Sequence, residues 1–368
     1  MVKRPRLTDV AARVGVSPAS VSLVLRGVPG PSAETRDRVL AAAAELGYRA
    51  DRTASMLARR RRQLLGVMLD VRNPFHAELA EEIHVAAGHA GYEVVLATLT
   101  RDSDERSATE TLLDFRCEAL ILLGPESAPS ELDALAAQVP CVAVGTAVRG
   151  AAVDVVRSAD DVGVEAALDH LIGLGHSRIA FLDGGAGPVA AMRRRGYRRA
   201  MRRAGLPEQV LPGDHTEAGG IRAGRALLTG PAGEGSERST AGEGSERSTA
   251  AEKSERSPAG ERSERSPAGE KGRPTAVVAS NDRLAVGLMD ALLRAGVSVP
   301  GEISVVGYDD STLARLAHID LTSVNQKAPE QAHHAVQAAI SRLDHGRDRR
   351  IETVLVPSLV IRGSTAPP

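Results

Sequence analysis

Polar and aromatic residues stand where several predicted strands end, in positions suited to holding a small ligand. Phe75 and His76 follow one such strand, Asn281 follows another, and Asp309 ends a third. Asp and Asn side chains can each make two hydrogen bonds to a polar ligand, and an aromatic ring can cover an apolar face of it. Arg193 lies before a Gly-Tyr pair and could join them. The alternatives are that Asn281 and Asp309 cap loops and that Arg193 is an ordinary surface arginine.

A second group of residues is basic and lies at the amino-terminal end. Residues 1–62 carry thirteen Lys and Arg against five Asp and Glu, a net charge of +8. Because the whole chain carries −1, residues 63–368 carry −9. A basic segment on an acidic body is the electrostatic pattern of nucleic-acid binding. The alternative is a solvated charged face.

Three short helical patterns must position the basic segment. Thr8 is placed to cap the first helix, and Gly15 is placed to end it. Ser17 is placed to cap the second helix, with Pro18 at its first position. Ser32 is placed to cap the third helix. Two helices joined by a tight glycine turn can set the second helix in a major groove. The residues expected to face inward are Val10, Ala11, Val14, Val21, Val24, Leu25, Val39, Leu40, Ala43 and Leu46.

From Leu64 onward short apolar runs alternate with amphipathic segments, which predicts parallel sheets covered by helices. Strands are predicted at 64–70, 92–97, 119–124, 141–145, 178–183, 275–280 and 303–310, and helices at 75–90, 163–173, 189–204, 219–228, 283–295 and 329–343. About 300 residues is long for one sheet, so two lobes are expected. The fold class is therefore α/β: a three-helix head over 1–50, a linker over 51–63, and a two-lobed body over 64–366.

One segment does not fit this alternation. AGEGSERST occupies 232–240 and 241–249, and three degenerate copies of the same nine-residue unit follow. The repeat contains no large apolar side chain, so burial cannot offset the entropy of ordering it. Residues 231–273 are predicted to form a disordered, dispensable surface insert. The alternative, a solenoid, needs an apolar face on which its repeats can stack.

The segment LTDVAARVGVSPASVSLVLRG (7–27) resembles the helix-turn-helix of the lactose-repressor (LacI/GalR) family. The resemblance continues through the third helix (32–48) and the body, in NPFHAEL, HLIGLGHSRIAFLDG, SNDRLAVGLMDAL, VPGEISVVGYDD and LTSVNQ, and covers the chain except the repeat. Ser20, Leu23, Arg26 and Ala50 depart from the residues usual in the family. The resemblance implies the periplasmic-binding-protein fold for the body.

The resemblance assigns base contacts to the first turn of the second helix, which here carries Pro18, Ala19 and Ser20. Ser20 can hydrogen-bond a base edge, and the two apolar residues can contact a thymine methyl. Further candidates for phosphate or base contact are Thr8, Ser17, Ser22 and Arg26. In the family a hinge helix inserts a leucine into the minor groove, and Leu57 falls on that position. The alternatives are that Ser17 and Ser22 cap the helix and that Leu57 packs against a partner.

For the body, the resemblance implies a small effector between the lobes. Arg193, Asn281 and Asp309 match the polar contacts of the family. Phe75 and His76 match the pair that lines the cleft, although a second aromatic is commoner there than His. One further candidate, His215, falls where many relatives carry an aromatic that stacks on the ligand.

These observations predict a DNA-binding transcriptional regulator, in particular a repressor, whose partners are a pseudo-palindromic operator, a sugar-like effector and a second copy of the chain. No cofactor and no metal are expected, and Cys117 and Cys141 are interpreted as small buried hydrophobes. The cytoplasm is the expected location, since the first residues lack the apolar run of a signal peptide. A transport protein with the same body is disfavoured by the basic head. An enzyme is disfavoured because the sequence lacks a P-loop, GxSxG or HExxH motif.

Overall fold

The computed structural model describes residues 5–25, 27–48, 62–149, 152–229 and 273–368. The chain divides into two compact units, Met1–Gln63 and Leu64–Pro368. Across the described ranges, no helix is long and apolar enough to span a bilayer. Arg26, Leu57 and the predicted repeat insert, apart from Arg273, lie outside the described residues.

The amino-terminal unit contains three helices: α1 (Leu7–Val14), α2 (Pro18–Leu25) and α3 (Ala33–Glu45). The sequence correctly places most of their ends. Gly15 adopts a left-handed conformation (φ 74°) that ends α1, and the side chain of Ser32 accepts a hydrogen bond from the Thr35 backbone. The predicted capping role of Thr8 is wrong, because α1 begins at Leu7 and its cap is Arg6, two residues before Thr8.

The Asp9 carboxylate explains the earlier start of α1. It accepts a hydrogen bond from the Arg6 backbone N–H at 2.7 Å, so that the turn closes around Arg6 and leaves Thr8 inside the helix. Thr8 is exposed there.

Small aliphatic side chains form the core of this unit. The buried residues are Val10, Ala11, Val14, Val21, Val24, Val39, Ala42 and Ala43. The prediction that Leu40 and Leu46 face inward is wrong, since they are 48% and 36% exposed. The helical period puts Ala42 and Ala43 on the same face as Val39. Because α3 buries this face, Leu40 is exposed.

The second unit alternates strands and helices throughout its described length. Its strands are β1 (Leu64–Asp70), β2 (Glu93–Leu99), β3 (Ala119–Leu123), β4 (Cys141–Val144), β5 (Asp154–Ser158), β6 (Ile179–Leu182), β7 (Gln209–Leu211), β8 (Ala276–Ala279), β9 (Ser304–Asp309), β10 (Thr322–Asn325), β11 (Glu352–Leu355) and β12 (Ser358–Val360). Its helices are α4 (Pro74–His89), α5 (Glu105–Asp114), α6 (Pro129–Ala136), α7 (Asp160–Gly173), α8 (Pro188–Ala204), α9 (Glu217–Thr229), α10 (Asp282–Arg294) and α11 (Ala328–His345).

The strands form two six-stranded sheets, one in each lobe. The first sheet has the order β11-β5-β4-β3-β1-β2 and is parallel throughout. The second has the order β12-β10-β9-β8-β6-β7 and is parallel except for β12, which pairs antiparallel with β10. Ligands of such sheets bind at the carboxyl ends of the strands, where the connecting loops begin.

The chain passes between the lobes more than once, because α11 returns from β10 to pack on the first sheet and β12 returns to the second. Apolar side chains of β1, β3 and β4 form the first core with α4 and α11.

Both cysteines are buried, as predicted, and burial raises the pKa of Cys117 to about 11 and that of Cys141 to about 12.

Candidate functional site

The first turn of α2 presents short side chains to solvent. Pro18 and Ala19 are exposed, whereas Val21 and Val24 face the core on the opposite side of the helix. Ser22 lies half-buried one turn after Pro18. Such a surface can approach a base edge closely because no long side chain holds it away.

The hydroxyls of Ser17 and Ser20 form one polar pair at the start of α2. Ser17 Oγ accepts a hydrogen bond from the Ser20 backbone N–H at 3.1 Å, which confirms Ser17 as the cap of the helix. The two hydroxyl oxygens lie 2.9 Å apart and are hydrogen-bonded to each other. Because a hydroxyl has one donor and two acceptor sites, Ser20 keeps capacity for a further bond.

In the second unit, a cleft of about 840 Å³ opens between the two lobes. The structure brings together around it all six residues proposed from the sequence for effector contact: Phe75, His76, Arg193, His215, Asn281 and Asp309. Four of them lie in loops or helix starts after strands of the two lobes, Asp309 is the last residue of β9, and Arg193 lies in the second turn of α8. This volume is in the range of small-molecule sites.

Arg193, on α8, is buried at the floor of the cleft and is fully engaged. Its Nε donates to Asp160 Oδ1 at 2.9 Å, its Nη1 donates to the Ser280 carbonyl and lies 3.6 Å from Asp309 Oδ1, and its Cζ lies 3.7 Å from the centre of the Tyr308 ring. Although burial alone would lower it, the two carboxylates raise the pKa of Arg193 above its ordinary value. Arg193 is therefore a fixed cation and not a mobile surface arginine.

Asp309 ends β9 in a backbone conformation that L-residues rarely adopt, with φ of 113°. The Gln326 side-chain amide donates to its Oδ1 at 2.6 Å. Burial raises the pKa of Asp309 to about 8, against the opposing effect of Arg193. Strained residues of this kind persist where the surrounding structure holds them, often at binding sites.

Asn281 is the cap of α10. Its Oδ1 accepts from the Leu284 backbone N–H at 3.0 Å, and its Nδ2 donates to the His215 carbonyl at 3.2 Å. The second N–H of the amide is not part of these bonds. The capping interpretation left open by the sequence therefore holds, and it is compatible with a ligand contact.

Two histidines face the cleft from opposite lobes. Burial lowers the pKa of His76 to about 4, and burial together with Arg193 and Arg283 lowers that of His215 to about 4. His76 Nδ1 accepts a hydrogen bond from the Asp70 backbone N–H at 3.2 Å, so its Nε2 carries the proton. The ring of His215 occupies the space beside Gly184, where any Cβ would collide with it.

Comparison with known proteins covers both units. The model of bacterial regulatory proteins, lacI family, matches residues 6–51. The model of periplasmic binding proteins and the sugar binding domain of the LacI family matches 62–234, and a periplasmic binding protein-like domain matches 168–365.

Whole-chain relatives agree with these matches. The HTH-type transcriptional regulator MalR of Streptomyces coelicolor is 31% identical over 98% of this chain and 96% of its own length. The ribose operon repressor of Escherichia coli is 30% identical over 97% of this chain and 99% of its own. The crystal structure of the lac repressor dimer bound to operator and the anti-inducer ONPF superposes with a TM-score of 0.74, at 26% identity, covering 99% of this chain and 100% of that chain.

The chain belongs to the LacI family. It is accordingly a DNA-binding transcriptional regulator, and the predicted family and α/β fold class are confirmed. Its relatives are regulators and not enzymes.

Several groups of this LacI-family regulator that shape the cleft were not found from the sequence. Thr146, the second residue after β4, is buried, and its hydroxyl has no hydrogen-bond partner among the described residues. Asp160 and Gln326 hold Arg193 and Asp309 from neighbouring elements. Position after a strand was the available signal for Thr146, but a lone Thr there is common in any loop.

Proposed function

We propose that this regulator represses transcription in the cytoplasm by binding, as a homodimer, to a pseudo-palindromic operator. A small polyhydroxylated molecule, a sugar, in the interlobe cleft would control its affinity for that operator. The observation that carries the proposal is the convergence of Phe75, Arg193 and Asp309 with three further side chains around one cleft of suitable size. The names of the relatives, a ribose operon repressor and a lac repressor dimer bound to operator, support it.

On the DNA side, we assign base contacts to Pro18, Ala19 and Ser20. Ser17, Ser22 and Thr8 would lie nearest the phosphates, where polar contacts position the helix without reading sequence. Arg26 as a phosphate contact rests on its charge, since it departs from the residue usual in the family. Leu57 as a minor-groove wedge rests on the family resemblance alone. Since the direct contacts are few, DNA shape would supply part of the specificity.

On the effector side, Asp309 and Asn281 would hydrogen-bond ligand hydroxyls while Arg193 fixes the orientation of Asp309. Phe75 and His215 would cover apolar faces of the ligand. The Nε2–H of His76 would donate to a ligand oxygen.

The test begins with selection of operator sequences from a pool of random duplexes by the purified full chain. We expect an enriched pseudo-palindrome and at least one neutral sugar, with ribose and cellobiose among those tried, that changes operator affinity by about tenfold, a typical coupling between two sites. Asp309→Asn should keep operator affinity within about twofold and lose the response, because the cleft is not part of the DNA-contacting surface. Equal loss of both activities would show that Asp309 acts on folding. A pool from which nothing symmetric is enriched would contradict the dimeric operator.

A further inference from the structure

The arginines that line the cleft are already neutralised by carboxylates of the protein. On the second lobe, Arg193 is held by Asp160 and Asp309, as described above. On the first lobe, Arg72 makes a two-bond ion pair with Asp70, from Nε to Oδ1 at 2.9 Å and from Nη2 to Oδ2 at 3.0 Å. The Arg72 side chain is 54% exposed, and the bidentate pair fixes its guanidinium group on a carboxylate of the protein.

A third arginine, at the rim, is committed in the same way. Arg283 donates from Nε to Glu217 Oε1 at 2.8 Å and from Nη2 to its other oxygen, and its Nη1 donates to the Arg72 carbonyl at 2.6 Å. An anion entering the cleft would have to break one of these pairs to gain a cation.

Carboxylates outnumber cations along the described lining. Asp309 is not counted, because its pKa of about 8 keeps it largely protonated at neutral pH. The lining then contains five carboxylates, Asp70, Asp104, Glu105, Glu126 and Asp214, and two guanidinium groups, Arg72 and Arg193. The histidines do not change the balance, since His76 and His215 are held neutral at neutral pH. A phosphate or carboxylate in this space would be both desolvated and repelled.

The amino terminus of α8, in contrast to these carboxylates, would attract an anion. Its cap residue, Gly187, lines the cleft and provides no side-chain cap. A helix terminus carries the equivalent of about half a positive charge, which is small against the carboxylates around it. Pro188 at the first helical position removes one of the N–H groups that would bind an anion.

We infer that Asp70 is a specificity-determining residue. Because Asp70 pairs with Arg72, the cleft disfavours the binding of anionic effectors. The effector is therefore a polyhydroxylated compound without a phosphate or carboxylate group. The inference rests on the proposed function, since it presumes that the cleft binds the effector. It goes beyond that function because a sugar phosphate and a sugar acid would satisfy the same sugar contacts.

The experiment uses matched pairs of compounds with the full chain in isothermal titration calorimetry. The pairs are ribose with ribose 5-phosphate, glucose with glucose 6-phosphate, and glucose with glucuronate. For any pair in which one member binds, we expect the neutral member to bind about thirtyfold more tightly or better, because the anion meets an excess of carboxylates in a partly desolvated site.

Asp70→Asn tests the residue itself. It frees Arg72 within the cleft, so discrimination against the anionic member should shrink by about tenfold. Asp169→Asn is the matched control, because it removes the carboxylate of an Asp–Arg pair on the outer surface, with Arg203, and should leave the ratio unchanged.

The outcomes separate the inference from the proposed function. Wild-type chain that binds an anionic member as tightly as its neutral partner overturns the inference and leaves sugar sensing intact. If the Asp70→Asn variant discriminates between neutral and anionic compounds as strongly as wild type, the inference is also overturned. The pairing of Asp70 with Arg72 would then not determine the discrimination. If no compound of either kind binds or alters operator affinity, sugar sensing by the cleft is contradicted, and the inference with it.

Discussion

At the scale of single residues, Ser17 and Ser20 have hydroxyls in contact but different expected roles. Ser17 closes the first turn of α2, and its loss should destabilise that helix by about 1 kcal/mol, as for other helix caps. Ser17→Ala should therefore speed hydrogen exchange at the α2 amides about fivefold. Ser20→Ala keeps the cap and should leave exchange near wild type, yet weaken operator binding by about 1 kcal/mol through a lost base contact.

Hydrogen exchange and operator titration of both full-length variants check this division. If Ser20→Ala speeds exchange as much as Ser17→Ala, the two hydroxyls act as one capping unit. The assignment of a base contact to Ser20 would then lose its support.

The histidine at position 76 should make the stability of the body depend on pH. Its folded-state pKa, about 4, lies below the ordinary value of 6.5, so the unfolded chain takes up the proton first as pH falls. Stability present above pH 6.5 is therefore lost between about pH 6.5 and 4. Comparison of His76→Gln with wild type should show the variant losing about 1–2 kcal/mol less between pH 7 and pH 5.

Urea unfolding at several pH values measures this difference. The variant also leaves the Asp70 N–H without its partner, but that cost is independent of pH and drops out of the comparison. Parallel stability curves for the two proteins would contradict the burial of a neutral imidazole.

How far single residues can be predicted depends on whether their role is set by chain position. Five of the six residues proposed for the effector end a strand or lie in the segment after one, and parallel strands bring those ends to one edge of each sheet, so their convergence could be predicted. The sixth, Arg193, lies within α8. The ion pair of Arg193 with Asp160 could not, because it joins helices whose relative placement only the tertiary fold fixes.

At the scale of elements, the sequence predicts long apolar strands well and short polar ones poorly. The run LLGVMLD is a strand over the predicted range, because β1 is buried on both faces. The strands β5 and β10, DVVRS and TSVN, were missed. They carry polar residues such as Ser158 and Thr322 that are nevertheless fully buried, since they hydrogen-bond to neighbouring segments.

The two lobes are joined by a contact between α4 and the loop after β9. Glu78 Oε1 accepts a hydrogen bond from the Thr312 backbone N–H at 2.6 Å, and its other oxygen lies 3.9 Å from Arg315 Nη2. This hydrogen bond to a charged group links the two lobes directly.

Glu78→Ala should open the cleft. We expect a larger radius of gyration in small-angle scattering of the ligand-free chain, and an affinity for a binding sugar about threefold to tenfold weaker, because closure must then be driven by the ligand. Glu81→Ala removes an exposed glutamate from the same helix and is the matched control. Identical scattering from the two variants would show that the contact does not hold the lobes.

At the scale of the whole molecule, the two edges of the first sheet differ in a way that bears on assembly. Edge strand β11 has only four residues, and although it exposes Val354, its Glu352 pairs with Arg157 at 2.8 Å. Edge strand β2, EVVLATL, exposes Leu96 to 53% beside half-buried valines. Proteins protect free edges with charge, so an apolar edge strand is expected to be covered by a partner.

We therefore expect the homodimer to form along β2. Leu96→Glu should place a charge in the buried centre of that interface and raise the dimer dissociation constant by about a hundredfold, since an unpaired interfacial charge costs several kcal/mol. Val354 is 44% exposed on β11. The substitution Val354→Glu introduces the same charge at the opposite edge of the sheet and should leave the dimer intact. Sedimentation equilibrium measures both. Operator affinity should fall with dimerisation in the first variant only, because a monomer contacts a single half-site. Dissociation of both variants, or of Val354→Glu alone, would move the interface away from β2.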